Sequence, residues 1–155
     1  MNTRAEGPEK QLGRFIAKFS PEHQALIRAA RKRLRRRFPG VHELVYDNYN
    51  FFVIGYGPTE RPSDCIFSIA AAANGVVICF MHGAKLPDSK KLLQGSGKQT
   101  RFLRLPSAEL LEDPDVAALL GVAAARAKSP LAPGGRGKLI IRSVSAKQRP
   151  RRKHD

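Results

Sequence analysis

The sequence contains no apolar run long enough to cross a membrane, only two cysteines, and few acidic residues. No stretch reaches the roughly 18 apolar residues that a membrane span requires, so we expect no membrane partner. Cys65 and Cys79 both stand in apolar runs, which favours core thiols over a disulfide or a metal site. The segment 1–10 includes no apolar stretch of the secretory kind. These absences predict a soluble, cytoplasmic protein.

Positive charge is the abnormal feature of the composition, and it is confined to the two ends of the chain. The 155 residues contain 28 Lys and Arg against 13 Asp and Glu, a net charge of +15. Residues 1–40 carry +8, residues 41–128 are neutral, and residues 129–155 carry +7. Such a field favours polyanions such as nucleic acid or an anionic surface, and it says nothing about the fold.

Two amphipathic helices are predicted at the N-terminus. Apolar residues recur at helical spacing between Pro8 and Phe19. Ser20 and Pro21 then suit an N-cap and a first helical position, and the second helix ends near Phe38. Its apolar stripe consists of Leu26, Ile27, Ala30, Leu34 and Phe38, with Arg28, Lys32, Arg35 and Arg36 opposite and Arg31, Arg33 and Arg37 beside it.

The period then changes to that of strands and returns to a helix near the C-terminus. Segments rich in aromatic and β-branched residues are separated by turn residues, including the Asn74-Gly75 pair of a hairpin. An acidic start with Pro114 opens the last helix. The predicted strands are 43–49, 51–56, 65–72, 76–81 and 100–105, the helix is 113–128, and 138–144 is a candidate edge strand.

Strands grouped together with helices at both ends indicate the α+β class. We predict two N-terminal helices, an antiparallel sheet of four to five strands, a C-terminal helix and a basic tail. Pro and Gly residues between 130 and 137 break regular structure. We therefore assign residues 8–130 to one domain and residues 131–155 to a basic, flexible C-terminal tail.

Three segments carry a family resemblance: Leu-Val-Tyr-Asp-Asn-Tyr-Asn at 44–50, Gly-Pro-Thr-Glu-Arg at 57–61, and Leu-Leu-Gln-Gly-Ser-Gly-Lys-Gln-Thr-Arg at 92–101. In this order and spacing they resemble the YdhG-like family, a domain of unknown function, over about residues 10–128. The resemblance implies a compact α+β domain with a curved antiparallel sheet packed against helices, and it implies no established reaction. A frataxin-like iron-handling role is associated with part of that family.

The neutral middle of the chain holds a candidate site for a small anion. The segment 46–50 is unusually polar for a strand, and the loop 95–101 has glycines beside cations that can cradle an anion through backbone N–H groups. The loop is not a Walker A motif, because Gln99 stands where Ser or Thr would bind magnesium. The alternative is a structural hydrogen-bonded network with a tight turn. The candidate ligand-binding residues are Asp47, Asn48, Tyr49, Lys98 and Arg101.

The basic ends hold a second candidate, for nucleic acid. Cations on the second helix and in the tail can contact phosphates without reading sequence. No aromatic residue is interleaved with either cluster in the sequence, so base stacking is not predicted. The alternative is a solvated helix face and a tail that aids solubility. The candidate residues are Arg28, Lys32, Arg35, Arg36, Arg149, Arg151 and Arg152.

Catalytic and metal sites find little support in the sequence. No nucleophile with a base and no close carboxylate pair emerges, and the four histidines have no paired spacing with cysteine or one another. Iron would need clustered oxygen ligands, whereas the first helices are basic. We expect no cofactor, no metal and a non-enzymatic accessory or small-anion-binding domain. Sequence-independent nucleic-acid binding is the alternative, iron handling a weaker one, and an oligomer stays open.

Overall fold

Two helices pack their apolar stripes onto a sheet in the computed structural model, which describes residues 6–131 and 135–153. Helix α1 spans Pro8–Ile16 and helix α2 spans Pro21–Arg37. The predicted N-cap is confirmed, since the Ser20 hydroxyl accepts a hydrogen bond from the His23 N–H at 3.4 Å. Helix α1 ends before Phe19 because its last turn tightens, with the Phe19 N–H donating to the Ile16 carbonyl.

The strands form one sheet in the described part of the chain. The order across the sheet is β5-β4-β3-β2-β1-β6, and all neighbours are antiparallel except β1 and β6, which are parallel. Strand β6 follows the last helix, α3 (Pro114–Ala125). The strands are β1 His42–Asp47, β2 Phe52–Gly57, β3 Phe67–Ala72, β4 Gly75–Phe80, β5 Arg101–Arg104 and β6 Leu139–Val144.

The α+β class is confirmed, and the two N-terminal helices and the strands roughly fit the prediction, but the sheet differs from the antiparallel sheet of four to five strands in two respects. The sheet is mixed and has six strands within the described residues, because 139–144 joins it beside β1. An exposed edge presents unpaired N–H and C=O groups. Strand β6 covers that edge, and the Glu43 N–H donates to the Lys138 carbonyl at 2.8 Å.

One face of the sheet and the helices enclose the core. Alternation along each strand directs Val45, Ile54, Ile69, Ile78 and Leu103 to the same row of that face. All five are buried in one cluster with the apolar stripes of the helices. The same alternation directs the two carboxylates of β1, on either side of Val45, toward the helices.

The predicted domain boundary at residue 130 does not separate a free tail. Beyond β6, the Ser145 N–H donates to the Asp47 carbonyl and the Arg149 N–H donates to the Tyr49 carbonyl, both at 2.9 Å. Residues 132–134 and 154–155 of the predicted tail lie outside the described residues. The prediction of a flexible tail is therefore corrected for residues 139–152, which complete the sheet and bond to its first strand.

No helix among the described residues combines the length and the apolar content that crossing a membrane requires.

Candidate functional site

A groove of about 580 Å³ lies between α2, the start of β1 and the segment 135–137, and its charged lining is mainly cationic. Helical periodicity explains the grouping, since residues four, seven and eight positions apart share one face. One cation of the groove, Arg136, comes from outside α2, from the segment that leads into β6. We call this cavity the basic groove; its cationic residues are Arg28, Arg31, Lys32, Arg35, Arg36 and Arg136.

A buried carboxylate forms one wall of the basic groove. Glu43 on β1 is 3% exposed, and it accepts hydrogen bonds from the Arg31 Nε at 2.9 Å and Nη2 at 3.0 Å. The Tyr56 hydroxyl donates to the same carboxylate at 2.9 Å. Arg31 also forms a bidentate pair with Glu9 on α1, at 2.9 and 2.8 Å. The network ties α1, α2, β1 and β2 together, because each element supplies one of its members.

The contacts of this network determine the protonation states of its members. Burial and the charge of Glu43 raise the pKa of Tyr56 well above its ordinary value, so its hydroxyl stays protonated and donates. Burial opposes the charge of Arg31, but hydrogen bonds to Glu9 and Glu43 outweigh it and raise the pKa of the guanidinium. Arg31 is thereby committed to two carboxylates and is a structural residue of the groove.

The remaining cations of the basic groove are available to a ligand. Arg28, Lys32, Arg36 and Arg136 are exposed, and they form no ion pair with any residue that the structure describes. The Arg35 Nε lies 3.6 Å from the Glu43 Oε1, and its Nη1 lies 3.9 Å from the Glu9 Oε2, so both ion pairs of Arg35 are long. Six cations and one carboxylate leave the lining with a net charge of +5. The groove therefore has a positive electrostatic potential that attracts anions.

Acid should weaken the connection between α1 and α2 at Glu9. Hydrogen bonds from Arg31 hold the pKa of Glu9 below its ordinary value of 4.5, so the stabilisation is complete above that value and is lost as the pH falls through the lowered pKa. We expect the difference in free energy of unfolding between the wild type and Glu9→Gln to shrink between about pH 6 and about pH 3. Urea unfolding at both pH values measures it, and a difference that does not change with pH would contradict the assignment.

A second buried carboxylate, Asp47, anchors the C-terminal segment. It is fully buried and accepts hydrogen bonds from the Lys18 Nζ at 2.6 Å and from the Arg151 Nη2 at 2.9 Å. Arg151 is itself 4% exposed, and it also donates to the Asn48 carbonyl at 2.6 Å. The Gln148 side-chain amide donates to the Asp47 carbonyl at 2.7 Å. Asp47 and Arg151 thus bind each other and not a ligand.

The structure does not assemble the small-anion site expected from Asp47, Asn48, Tyr49, Lys98 and Arg101. Asp47 ends β1 and residues 48–49 follow it, whereas Arg101 begins β5 and pairs with the far end of β4. Four strand spacings separate β1 from β5, which amounts to about 19 Å. The Arg101 guanidinium donates to carbonyls of its own loop, at Gly97 and Thr100. The Arg101 side chain is therefore hydrogen-bonded within its own turn. The expectation that these five residues form one anion-binding groove is corrected.

The seven residues expected to contact nucleic acid divide into two groups. Arg28, Lys32, Arg35 and Arg36 meet in the basic groove, as their helical spacing predicted. In the C-terminal segment, Arg149 lies with its Cζ 5.6 Å from the ring centroid of Tyr49, and Arg152 donates from Nε to the Lys18 carbonyl at 3.2 Å. Arg151 is buried with Asp47, so the expectation that it contacts phosphate is corrected.

Sequence reasoning missed Glu43, Arg136 and the roles of Arg31 and Tyr56. One signal was present, because strand alternation places Glu43 and Asp47 on the same face as the apolar Val45. A carboxylate on the apolar face of a strand needs a cationic or hydrogen-bonding partner. Arg136 carries no such signal, since it stands in a glycine-rich connection whose path only the tertiary structure defines.

Within residues 6–131 and 135–153, no three His, Cys, Asp or Glu side chains gather closely enough to hold a metal ion. The donor set that iron handling would need is not assembled there. Both cysteines are free, and burial raises the pKa of Cys65 to about 11. Comparison of the chain with protein-family models, with curated proteins and with solved structures found no match.

Proposed function

We propose that this chain is a nucleic-acid-binding domain that holds the phosphate backbone, without reading sequence, in the basic groove. The observation that carries the proposal is the set of exposed cations without ion pairs among the described residues: Arg28, Lys32, Arg36 and Arg136. Cations with no protein partner are free to replace the counterions of a polyanion, and the release of those counterions drives binding. Contacts of this kind position a nucleic acid and carry no sequence information.

The geometry of the groove favours a polyanion over a single small anion. Arg28 and Arg36 are eight residues apart on α2, which corresponds to about 12 Å along the helix axis. Neighbouring phosphates of one strand advance by about 3.4 Å along a duplex. The row of cations therefore matches several successive phosphates. Arginine is well suited to this task because its planar guanidinium binds phosphate oxygens in a bidentate manner.

A non-enzymatic role and membership of the YdhG-like family are further parts of the proposal. The family assignment rests on the segments 44–50, 57–61 and 92–101. In the structure, the first of these segments contains the Asp47 anchor and the last contains the turn within which Arg101 is hydrogen-bonded. The accessory role rests on a groove that offers binding charge and, among the described residues that line it, no nucleophile beside a base.

Titration with salt tests the proposal. Binding of a labelled oligonucleotide should weaken steeply between about 50 mM and about 200 mM salt, and four to five phosphate contacts predict a slope of log K against log salt of about −4 for a duplex and about −3 for a single strand. Fluorescence anisotropy measures the slope. Pyrophosphate in competition serves as the control, because a small-anion site would be saturated by it whereas a row of cations would not. Absence of binding at the lower salt concentration would refute the proposal.

A further inference from the structure

The C-terminal segment and two turns of the sheet enclose a second cavity, of about 430 Å³. Phe51 lines it from the β1–β2 turn, and Asn74 lines it from the β3–β4 turn. The opposite side is formed by three cations of the C-terminal segment. We call this cavity the aromatic groove; its cations are Arg149, Arg152 and Lys153.

One aromatic ring, Phe51, lines this groove, and a second, Tyr49, is exposed beside it next to Arg149. Phe51 is 52% exposed and Tyr49 is 49% exposed, which places both among the most exposed large apolar side chains of the described residues. Arg149, which lines the groove, places Tyr49 beside it, because the Arg149 backbone N–H donates to the Tyr49 carbonyl at 2.9 Å and its guanidinium lies beside the Tyr49 ring. Aromatic residues and cations separated by about a hundred positions in sequence are thereby interleaved on one surface, contrary to the expectation from the sequence.

Buried contacts of the C-terminal segment fix the position of the cations of the aromatic groove. Arg151 lies between its cations Arg149 and Arg152 in sequence, and it is buried against Asp47 with its Cζ 6.0 Å from the ring centroid of Phe19. Arg152 donates to the carbonyl of Lys18, just beyond the end of α1. The segment that carries the cations is therefore preorganised, which reduces the entropic cost of binding.

We propose that the aromatic groove stacks unpaired bases, so that the nucleic acid held by this domain is single-stranded. The inference rests on the proposed function and specifies which form of nucleic acid the domain binds. Exposed rings beside a positive groove form the platform on which successive bases of a single strand stack. The bases of a duplex are stacked on each other and cannot offer their faces to such rings. Charge attracts both forms of nucleic acid, and the rings Tyr49 and Phe51 distinguish between them.

The experiment compares a single strand of about 20 nucleotides with a duplex of the same length at one salt concentration, using the whole chain. We expect Phe51→Leu and Tyr49→Leu each to weaken binding of the single strand by about fivefold or more, since stacking contributes at least that much per base. Binding of the duplex should stay unchanged. Phe51→Trp and Tyr49→Phe are the matched controls, and both should retain binding because they keep an aromatic ring.

A second readout uses the absence of tryptophan from the chain. In Phe51→Trp the only indole stands in the groove, and stacking of bases should quench its fluorescence when the single strand is added. Phe102→Trp, in the β5 strand at the far edge of the sheet, provides the control indole, which should not respond. The duplex should leave both unchanged.

The outcomes separate this inference from the proposed function. If neither form of nucleic acid binds at low salt, the proposed function fails and this inference fails with it. If both forms bind with the expected salt dependence but the leucine variants bind the single strand like the wild type, the inference alone is overturned. Selective loss of single-strand binding in the leucine variants, with rescue by tryptophan or phenylalanine, supports it.

Discussion

Substitution of Asp47 by alanine is expected to destabilise the domain by about 3–5 kcal/mol, because it leaves a buried guanidinium without its counter-charge. Arg151 is 4% exposed, and its Nε and Nη1 already have no hydrogen-bond partner among the described residues. Removal of Asp47 also deprives Lys18 of its carboxylate partner at 2.6 Å. The loss exceeds what a surface ion pair could cause, since exposed pairs contribute at most about 1 kcal/mol.

Urea unfolding followed by circular dichroism measures this loss. Glu112→Ala is the matched control, because Glu112 pairs with Arg33 at 3.4 Å on the surface, and its removal should cost no more than about 1 kcal/mol. Limited trypsin digestion adds a local readout, since the Asp47→Ala variant should expose the bonds after Lys147 and Arg152 to cleavage. Equal stability and equal proteolysis of the two variants would show that Asp47 does not anchor the C-terminal segment.

The pairing itself is tested by a double variant. Arg151→Met on the Asp47→Ala background removes the uncompensated charge, and replacing a buried ion pair with apolar groups is often close to neutral. We expect the double variant to recover much of the stability that Asp47→Ala loses. Two losses that simply add would mean that the side chains do not interact, since non-additivity is the signature of contact.

Neutralisation of the basic groove is the second large effect that we expect. The variant Arg28→Gln, Lys32→Gln, Arg36→Gln removes three exposed cations that have no ion pair among the described residues. Affinity for an oligonucleotide near 0.1 M salt should fall on the order of 10²–10³-fold, and the slope of log K against log salt should become shallower by about 2.1 for a single strand and about 2.7 for a duplex. Stability should change little, because these side chains lie on the outer face of α2.

The control for this variant removes the same charge elsewhere. Arg61→Gln, Lys98→Gln, Arg104→Gln also replaces two arginines and one lysine, all exposed and outside the basic groove. Both variants lower the net charge from +15 to +12. If the two lose affinity equally, the attraction comes from the overall charge of the molecule and the basic groove is not the binding site.

Local signals in the sequence were sufficient for much of the fold and for half of the site. Ser20 and Pro21 marked the start of α2 correctly, and the 3.6-residue period placed Arg28, Lys32, Arg35 and Arg36 on one face. These features depend on residues within a few positions of one another. Their outcome is decided by backbone geometry that does not depend on the rest of the chain.

The small-anion site was mispredicted because it depended on distances across the sheet. The glycine-rich turn at 95–101 and the polar segment at 46–50 each had suitable chemistry, but the strand order separates them by four strand spacings. Strand order is decided by which edges pair in the folded chain, and the composition of a single strand does not contain that information.

The charge at the two ends of the chain and the amphipathic pattern of α2 were determined by the sequence alone, because both are properties of residues close together along the chain. The tertiary structure decided what the C-terminal cations do. Asp47 and Arg151 are 104 positions apart, and burial makes their pairing necessary, since neither charge is tolerated alone away from water. That contact converts a basic tail into one wall of a groove that contains Phe51, with Tyr49 beside it.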